Sequence, residues 1–252
     1  MSKIKKIKKA NAAIVIPMHK SKLNSNEIIS LKRCKEVFKN YQVILAVPEG
    51  LDVSVYKKHG KIDKVVFFKE KYFKSEKGYN TLMCISYFYR QFLEFEYILL
   101  YQLDTFVFEN NLDEWCSMGY DYIGSPWINS NWLEDFFKKR RIFGLFKKHF
   151  KLVGNGGLSL RKVKSSNRAC KILKPLAYIF KHEDFFWSNL ASRFVPKFKI
   201  PDVETALKFS FEENPEESFK LNKKKLPFGC HSWEKFGTEF WRPVFKKYGY
   251  KI

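Results

Sequence analysis

The chain has 252 residues, enough for one large domain, and its 45% hydrophobic and 18% aromatic content, including 26 Phe, excludes global disorder. A formal net charge of +21 points to polyanionic surroundings: nucleic acid, an anionic membrane face or phosphorylated substrates. Five cysteines form no CxxC pair, so buried free thiols in a reducing compartment are expected and a disulfide framework is not. No run of 18 or more apolar residues is available to span a bilayer. The basic start MSKIKKIKKANAAIVIP has too short an apolar stretch for a signal peptide and runs into a strand, so a cytoplasmic location is expected.

In chain order, AAIVIP (12–17) reads as a short buried strand stopped by Pro17. EIISLKRCKEVFKN (27–40) has helical spacing in Ile28, Leu31, Val37 and Phe38, and YQVILAVPEG (41–50) is a second strand ended by Pro48 and Gly50. KVVFF (64–68) is a third strand, and YNTLMCISYFYRQFLEF (79–95) reads as one long helix packed on a sheet. YILLYQLDTFVF (97–108) follows, its apolar run suited to a strand buried on both faces, yet it carries Asp104. An unpaired carboxylate there would cost several kcal/mol, so Asp104 is expected to bind something. Alternating strands and helices of these lengths predict βαβ units in a mostly parallel sheet, whose ligands sit beyond the carboxyl ends of strands, where Asp104 falls.

The second half is less regular. YDYIGSPW (120–127) reads as strand and turn, and LVGNGGLSLRK (152–162) as a glycine-rich turn leading into a short strand. Residues 165–181 read as a helix, and HEDFFWSNLASRF (182–194) as an acidic loop opening another. Trp115 lies at helical spacing and is expected in the core. Between these, 132–151 is a basic aromatic block; its 136–151 part holds seven Lys and Arg and no acid. Three readings compete there: a helix whose Phe residues face the core, contact with an anionic membrane surface, and phosphate gripping on nucleic acid.

Four features carry chemistry in combination: QLD (102–104), GNGG (154–157), HED (182–184) and GCH (229–231). Each alone has an ordinary structural explanation: a strand-end cap, a tight turn, acids at a helix N-terminus, a core histidine. Together, in this order, they match the needs of a nucleotide-sugar transferase. Such an enzyme needs a cation for the diphosphate, small residues where sugar meets backbone, and a carboxylate to take the acceptor proton.

These motifs resemble the GT-A fold glycosyltransferases, with their DxD motif, glycine loop, xED motif and C-terminal His. More narrowly, YILLYQLDTFVF, WCSMGYDYIGSPW, VGNGGLSLRK, EDFFWS, ALKFSFE and LPFGCHSW resemble the family named domain of unknown function 5672, over about residues 10 to 235. The resemblance implies a GT-A type α/β fold: a Rossmann-like, mostly parallel sheet flanked by helices. One domain is expected, with a nucleotide-sugar half (1–110) and an acceptor half (111–252) carrying the basic block as an insertion. By the same resemblance, Asp104 and His231 hold a divalent metal, Mn2+ or Mg2+. Asn155, Gly156 and Gly157 face donor sugar or acceptor. Asp184 is the base of an inverting reaction, and Glu183 supports it. Gln102 departs from the pattern, standing where the first Asp of DxD belongs; it supplies no charge, and metal-independent catalysis is the alternative.

The donor, a nucleotide-diphosphate sugar such as a UDP-sugar, is expected near Pro17, Met18 and His19, with Tyr79 and Asn80 by its phosphates. Trp127 and Trp233 are candidates for stacking on a sugar ring. The acceptor class implied is a glycan or lipid-linked glycan in cell-surface polysaccharide synthesis, lipopolysaccharide or capsule, at the inner face of the cell membrane. Two other classes remain in view: a basic nucleic-acid-binding α/β protein, which would have no use for Asp104, Asp184 and His231 around glycines, and an inactive sugar-binding relative.

Overall fold

A computed structural model describes residues 9–129, 152–180 and 182–252. The basic aromatic block at 132–151 and most of the KIKKIKK start lie outside the described residues. The described residues form nine strands: β1 (Ala12–Pro17), β2 (Gln42–Pro48), β3 (Lys64–Phe68), β4 (Tyr97–Tyr101), β5 (Phe106–Val107), β6 (Tyr122–Pro126), β7 (Val153–Lys162), β8 (Ser210–Phe211) and β9 (Gly229–Cys230). Six form one sheet in the order β3-β2-β1-β4-β7-β6. Its first four strands are parallel, and β7 runs antiparallel to both β4 and β6. This is the mostly parallel, helix-flanked α/β sheet expected.

The central strands are apolar throughout because both faces are covered. Successive side chains alternate: Ala13 and Val15 of β1 and Ile98 and Leu100 of β4 enter one core, while Ile14, Ile16, Leu99 and Tyr101 enter the other. Between β1 and β2 lies the helix Ser25–Val37. It opens on a capping box in which Asn24 Oδ1 accepts from Glu27 N and Glu27 Oε2 accepts from Asn24 N, each at 2.8 Å.

Two expected helices break. The stretch 79–95 divides into a helix Glu76–Met83, a turn Ser86–Tyr89 and a 3-10 turn Arg90–Phe92, with Ile85 extended between the first two. Packing decides this: the break lets Phe88 stack on Phe68 at 5.4 Å and meet Phe92 at 5.0 Å, and aromatic residues gain little from helix continuity. Residues 165–181 divide at Leu173 into helices Val163–Ile172 and Lys174–Phe180, because Pro175 has no N–H to continue the first. The glycine run is no tight turn either; it lies inside the ten-residue β7.

A second sheet, β5-β9-β8, is built of two-residue strands. β5 is antiparallel to β9 and β8 is parallel to it, so residue 104, just before β5, residue 212, just after β8, and residue 231, just after β9, meet at one end. Such short strands need support from behind. The helix Thr238–Lys247 provides it: Phe245 packs on Phe106 at 4.1 Å and Trp241 stacks on Phe108 at 5.7 Å. Phe245→Ala is expected to lower unfolding free energy by about 3–5 kcal/mol. The exposed Leu93→Ala should stay within about 0.5 kcal/mol; urea midpoints measure both.

Candidate active site

A cleft of about 780 Å³ opens beyond the carboxyl ends of β1 and β4. Of the residues expected at a site, Pro17, Met18, His19, Tyr79, Asn80, Gln102, Asp104, Gly156, Gly157, Glu183, Asp184 and His231 all line it. Three do not. The Trp127 ring is buried, packs so closely on Gly154 that a Cβ there would run into it, and donates its indole N–H to Asn155 Oδ1 at 2.7 Å. The Trp127 indole N–H is therefore satisfied by Asn155 inside the protein. Trp233 is 1% exposed and meets Phe245 edge-on at 4.8 Å, so its ring belongs to the aromatic core behind β9. Sugar stacking on either indole is unavailable where these rings sit.

The floor of the cleft is held by charge. His231 Nε2 lies 3.1 Å from Asp104 Oδ1 and 3.1 Å from Gln102 Oε1, while Nδ1 lies 3.0 Å from Glu212 Oε2. Burial alone would strip the proton from the ring, but Asp104 and Glu212 outweigh it and hold the imidazole well above its ordinary value. Burial pushes the Asp104 carboxyl up, yet the His231 ring and the Ser232 hydroxyl more than reverse this and keep it below the usual carboxylate range. Gln102 is committed at both ends, since its Nε2 donates to Tyr79 OH at 2.8 Å. A tyrosine hydroxyl can donate or accept, so it is the protonated imidazole that calls for the amide oxygen on its side.

The second group is the carboxylate pair at the start of the helical turn Glu183–Phe185, which runs on into a π-helical stretch, Phe186–Ala191. Glu183 is ion-paired with Arg161, a fully buried arginine of β7. Asp184 follows Glu183 in the same turn, and burial together with the Glu183 carboxylate raises its carboxyl well above the ordinary value.

Between the two groups lies the glycine run. Ile123 of β6 pairs with Leu160 and Ser125 with Asn155, so four residues of β7, 156–159, stand opposite the single Gly124 of β6 and the strand bulges. A Cβ on Gly156 would run into the Glu183 carboxylate and stand 2.8 Å from Asp184 Oδ1; on Gly157 it would run into the His231 ring. These glycines serve close approach of acids and imidazole to backbone, with no positive φ involved. The bulge is also tied to the other group, because Gln102 N donates to Gly157 O at 2.9 Å.

Among the described residues, no three His, Cys, Asp or Glu side chains stand together as a metal set. The set that could hold a divalent cation is mixed: Asp104 Oδ1, His231 Nε2 and Gln102 Oε1. Their 3.1 Å separations from Nε2 match the roughly 3 Å between neighbouring ligands of an octahedral ion bound at about 2.1 Å. The oxygen donors suit Mn2+ or Mg2+, and the imidazole favours the transition metal of the two; Glu212 beside Nδ1 supplies the outer carboxylate that commonly orients a ligating histidine. The residues fit such an ion.

Two participants escaped the sequence reading. Glu212 ends ALKFSFE, where an acid after an apolar run reads as a surface residue. Arg161 ends the apolar alternation of GGLSLRK; an arginine directly after apolar residues of a short strand was the available signal.

The Gly157→Ala chain is expected to fold with the His231 ring displaced, at a cost of about 1–3 kcal/mol read from urea unfolding. The pH dependence of stability follows from the imidazole. Between about 6.5, the ordinary value, and the raised native one, the folded chain keeps a proton that the unfolded chain has lost. Stability therefore falls as pH rises through that window, by up to about 1.4 kcal/mol per unit. His231→Gln should flatten this slope in denaturation midpoints taken at pH 6 to 9.

A family model described as "Protein of unknown function (DUF5672)" matches residues 63–231, a span that runs from just before β3 to the imidazole. No curated protein matches in sequence. Among solved structures, the apo form of mouse xyloside xylosyltransferase 1 superposes with a TM-score of 0.54 and 10% identity, over 87% of this chain and 96% of that one. The apo WbbM bifunctional glycosyltransferase gives 0.54 and 11%, over 92% of this chain and 46% of that one. At such identities the likeness shows the fold, which is of the GT-A type.

Proposed function

The chain belongs to the DUF5672 family, and we propose that it is a glycosyltransferase that moves a sugar from a nucleotide diphosphate, UDP in the first instance, to a hydroxyl of a glycan or lipid-linked acceptor. The observation that carries this reading is the convergence of Asp104, His231, the Gly156–Gly157 bulge and Asp184 in one cleft at the strand ends. A nucleic-acid binder has no use for such a set. The nucleotide lies over Pro17, Met18 and His19, and the diphosphate faces Asp104 and His231.

A divalent cation held by Asp104, His231 and Gln102 would neutralise the leaving diphosphate. The chain's own chemistry is proton transfer. Asp184, ionised, takes the proton of the acceptor hydroxyl; that oxygen bonds to the anomeric carbon, and the bond from the anomeric carbon to the diphosphate oxygen breaks. The electron pair leaves with the nucleotide, and attack from the opposite face inverts the anomeric centre. A carboxyl raised above its ordinary value is the stronger base once ionised, which suits this task. The net charge of +21 supports work at an anionic surface, and an acceptor destined for lipopolysaccharide or capsule at the inner membrane face accords with it. Among the described residues, no helix is long and apolar enough to cross a membrane.

Saturating UDP with Mn2+ should raise the melting temperature by several degrees, since a ligand at a hundred times Kd stabilises by about 2.7 kcal/mol. Absence of any shift across a panel of nucleotide sugars would sink the reading. With the active donor found, Asp184→Asn should lower turnover by about 10²- to 10⁴-fold. Near wild-type turnover in that variant would move the base elsewhere.

A further inference from the structure

Arg161 is the most deeply placed charge next to the cleft, and it does not line it. All three of its nitrogens are engaged, through four of the five N–H donors: Nε to Ser159 Oγ at 2.9 Å, one terminal nitrogen to Tyr89 OH at 2.8 Å, the other to Glu183 Oε1 and, at 3.4 Å, to the Gly156 carbonyl. The guanidinium also lies 5.4 Å from the Tyr122 ring and 5.5 Å from that of Trp187. One side chain thus grips both the glycine bulge and one member of the carboxylate pair. The grip is lopsided, because Glu183 receives the guanidinium directly, whereas Asp184, which lines the cleft beside it, is not among the hydrogen-bond partners of Arg161.

We propose that Arg161 is a positioning residue that decides which of two adjacent carboxylates exchanges the proton: it holds Glu183 as a fixed anion and leaves Asp184 as the group that takes and gives it. This deepens the transferase reading and rests on it for the identity of the base, but the division of labour within the pair is a property of the folded chain alone. Two adjacent carboxyls with no third charge would share one proton between them. A guanidinium bound to one of them breaks that symmetry. Asp184 then feels Glu183 from its own turn, Glu212 from beyond β8, Arg161 from β7, and the neutral Tyr79, Tyr122 and Cys84. Burial, Glu183 and Glu212 favour a proton on Asp184, and Arg161 opposes them.

The signature is a pair of opposite responses. With 13C-labelled aspartate, and Asp184→Asn to identify the resonance, the Asp184 carboxyl is titrated in the full chain without turnover. In wild type it should titrate above the ordinary carboxylate range. Glu183→Gln should lower that midpoint by about one unit or more. Arg161→Gln should raise it, and Arg161→Lys should stay near wild type. Should Arg161→Gln fail to fold, the double variant Arg161→Met with Glu183→Gln, which removes both charges of the buried pair, should fold and show the downward shift. A midpoint unmoved by Glu183→Gln or by the double variant would overturn the proposal, as would identical midpoints in Arg161→Lys and a folded Arg161→Gln. Turnover retained in Asp184→Asn would instead overturn the assignment of the base, leaving the titration to decide Arg161's role.

Discussion

Carboxylates at the tips of apolar strands are costly to bury unless each meets a cation or a donor, and two side chains satisfy that constraint here. His231 stands between Asp104 and Glu212, and Arg161 stands against Glu183. Each comes from a segment remote in the chain from its partners, so the two ion clusters also pin the fold around the cleft. Breaking a buried pair on one side leaves the other charge stranded, which ties the integrity of the site to that of the structure.

Backbone makes this density of charge possible. The bulge of β7 brings Gly156 and Gly157 to the one place where both clusters can touch main chain, with space for no side chain. The bulge is held from three directions: Gln102 N on the Gly157 carbonyl, Arg161 on the Gly156 carbonyl, and the Tyr122 hydroxyl on the Gly154 carbonyl at 2.5 Å. A strand so interrupted would be weak alone; here it is central, paired on both edges. The small second sheet is the complementary device. Its two-residue strands carry little stability of their own, and the aromatic cluster of Phe106, Phe108, Trp241 and Phe245 holds them so that Asp104, Glu212 and His231 share one end.

The cleft runs against the charge of the chain. Its floor gathers Asp104, Glu183, Asp184 and Glu212, while Lys20, Lys74 and Lys235 stand among its lining residues. Lysines of this kind, on a strongly basic molecule, attract anions over long range, whereas the acids inside repel them at contact. An anionic ligand can therefore be drawn to the cleft and still need the His231 end, with the cation that fits it, to be bound there. Asp184 carries the cost of this arrangement: a carboxyl kept beside another is destabilising at neutral pH, and such costs gather at sites where chemistry needs them.

By itself the sequence determined the central strands and the residue types of the site. β1, β2 and β4 are near-continuous apolar runs closed by proline or a polar turn, and that pattern admits few other structures. Asp104, Asp184 and His231 were conspicuous as polar residues beside apolar segments. What only the tertiary structure decided is who meets whom. The helix expected over 79–95 breaks because aromatic packing outweighs local propensity, and Trp127 and Trp233 turn inward because an indole is as suited to a core as to a sugar. Glu212 and Arg161 acquire meaning only when strands distant in order bring them against His231 and Glu183. Local pattern records burial, which depends on neighbours in sequence, whereas the pairing of buried charges depends on topology and on a bulge that no periodicity announces.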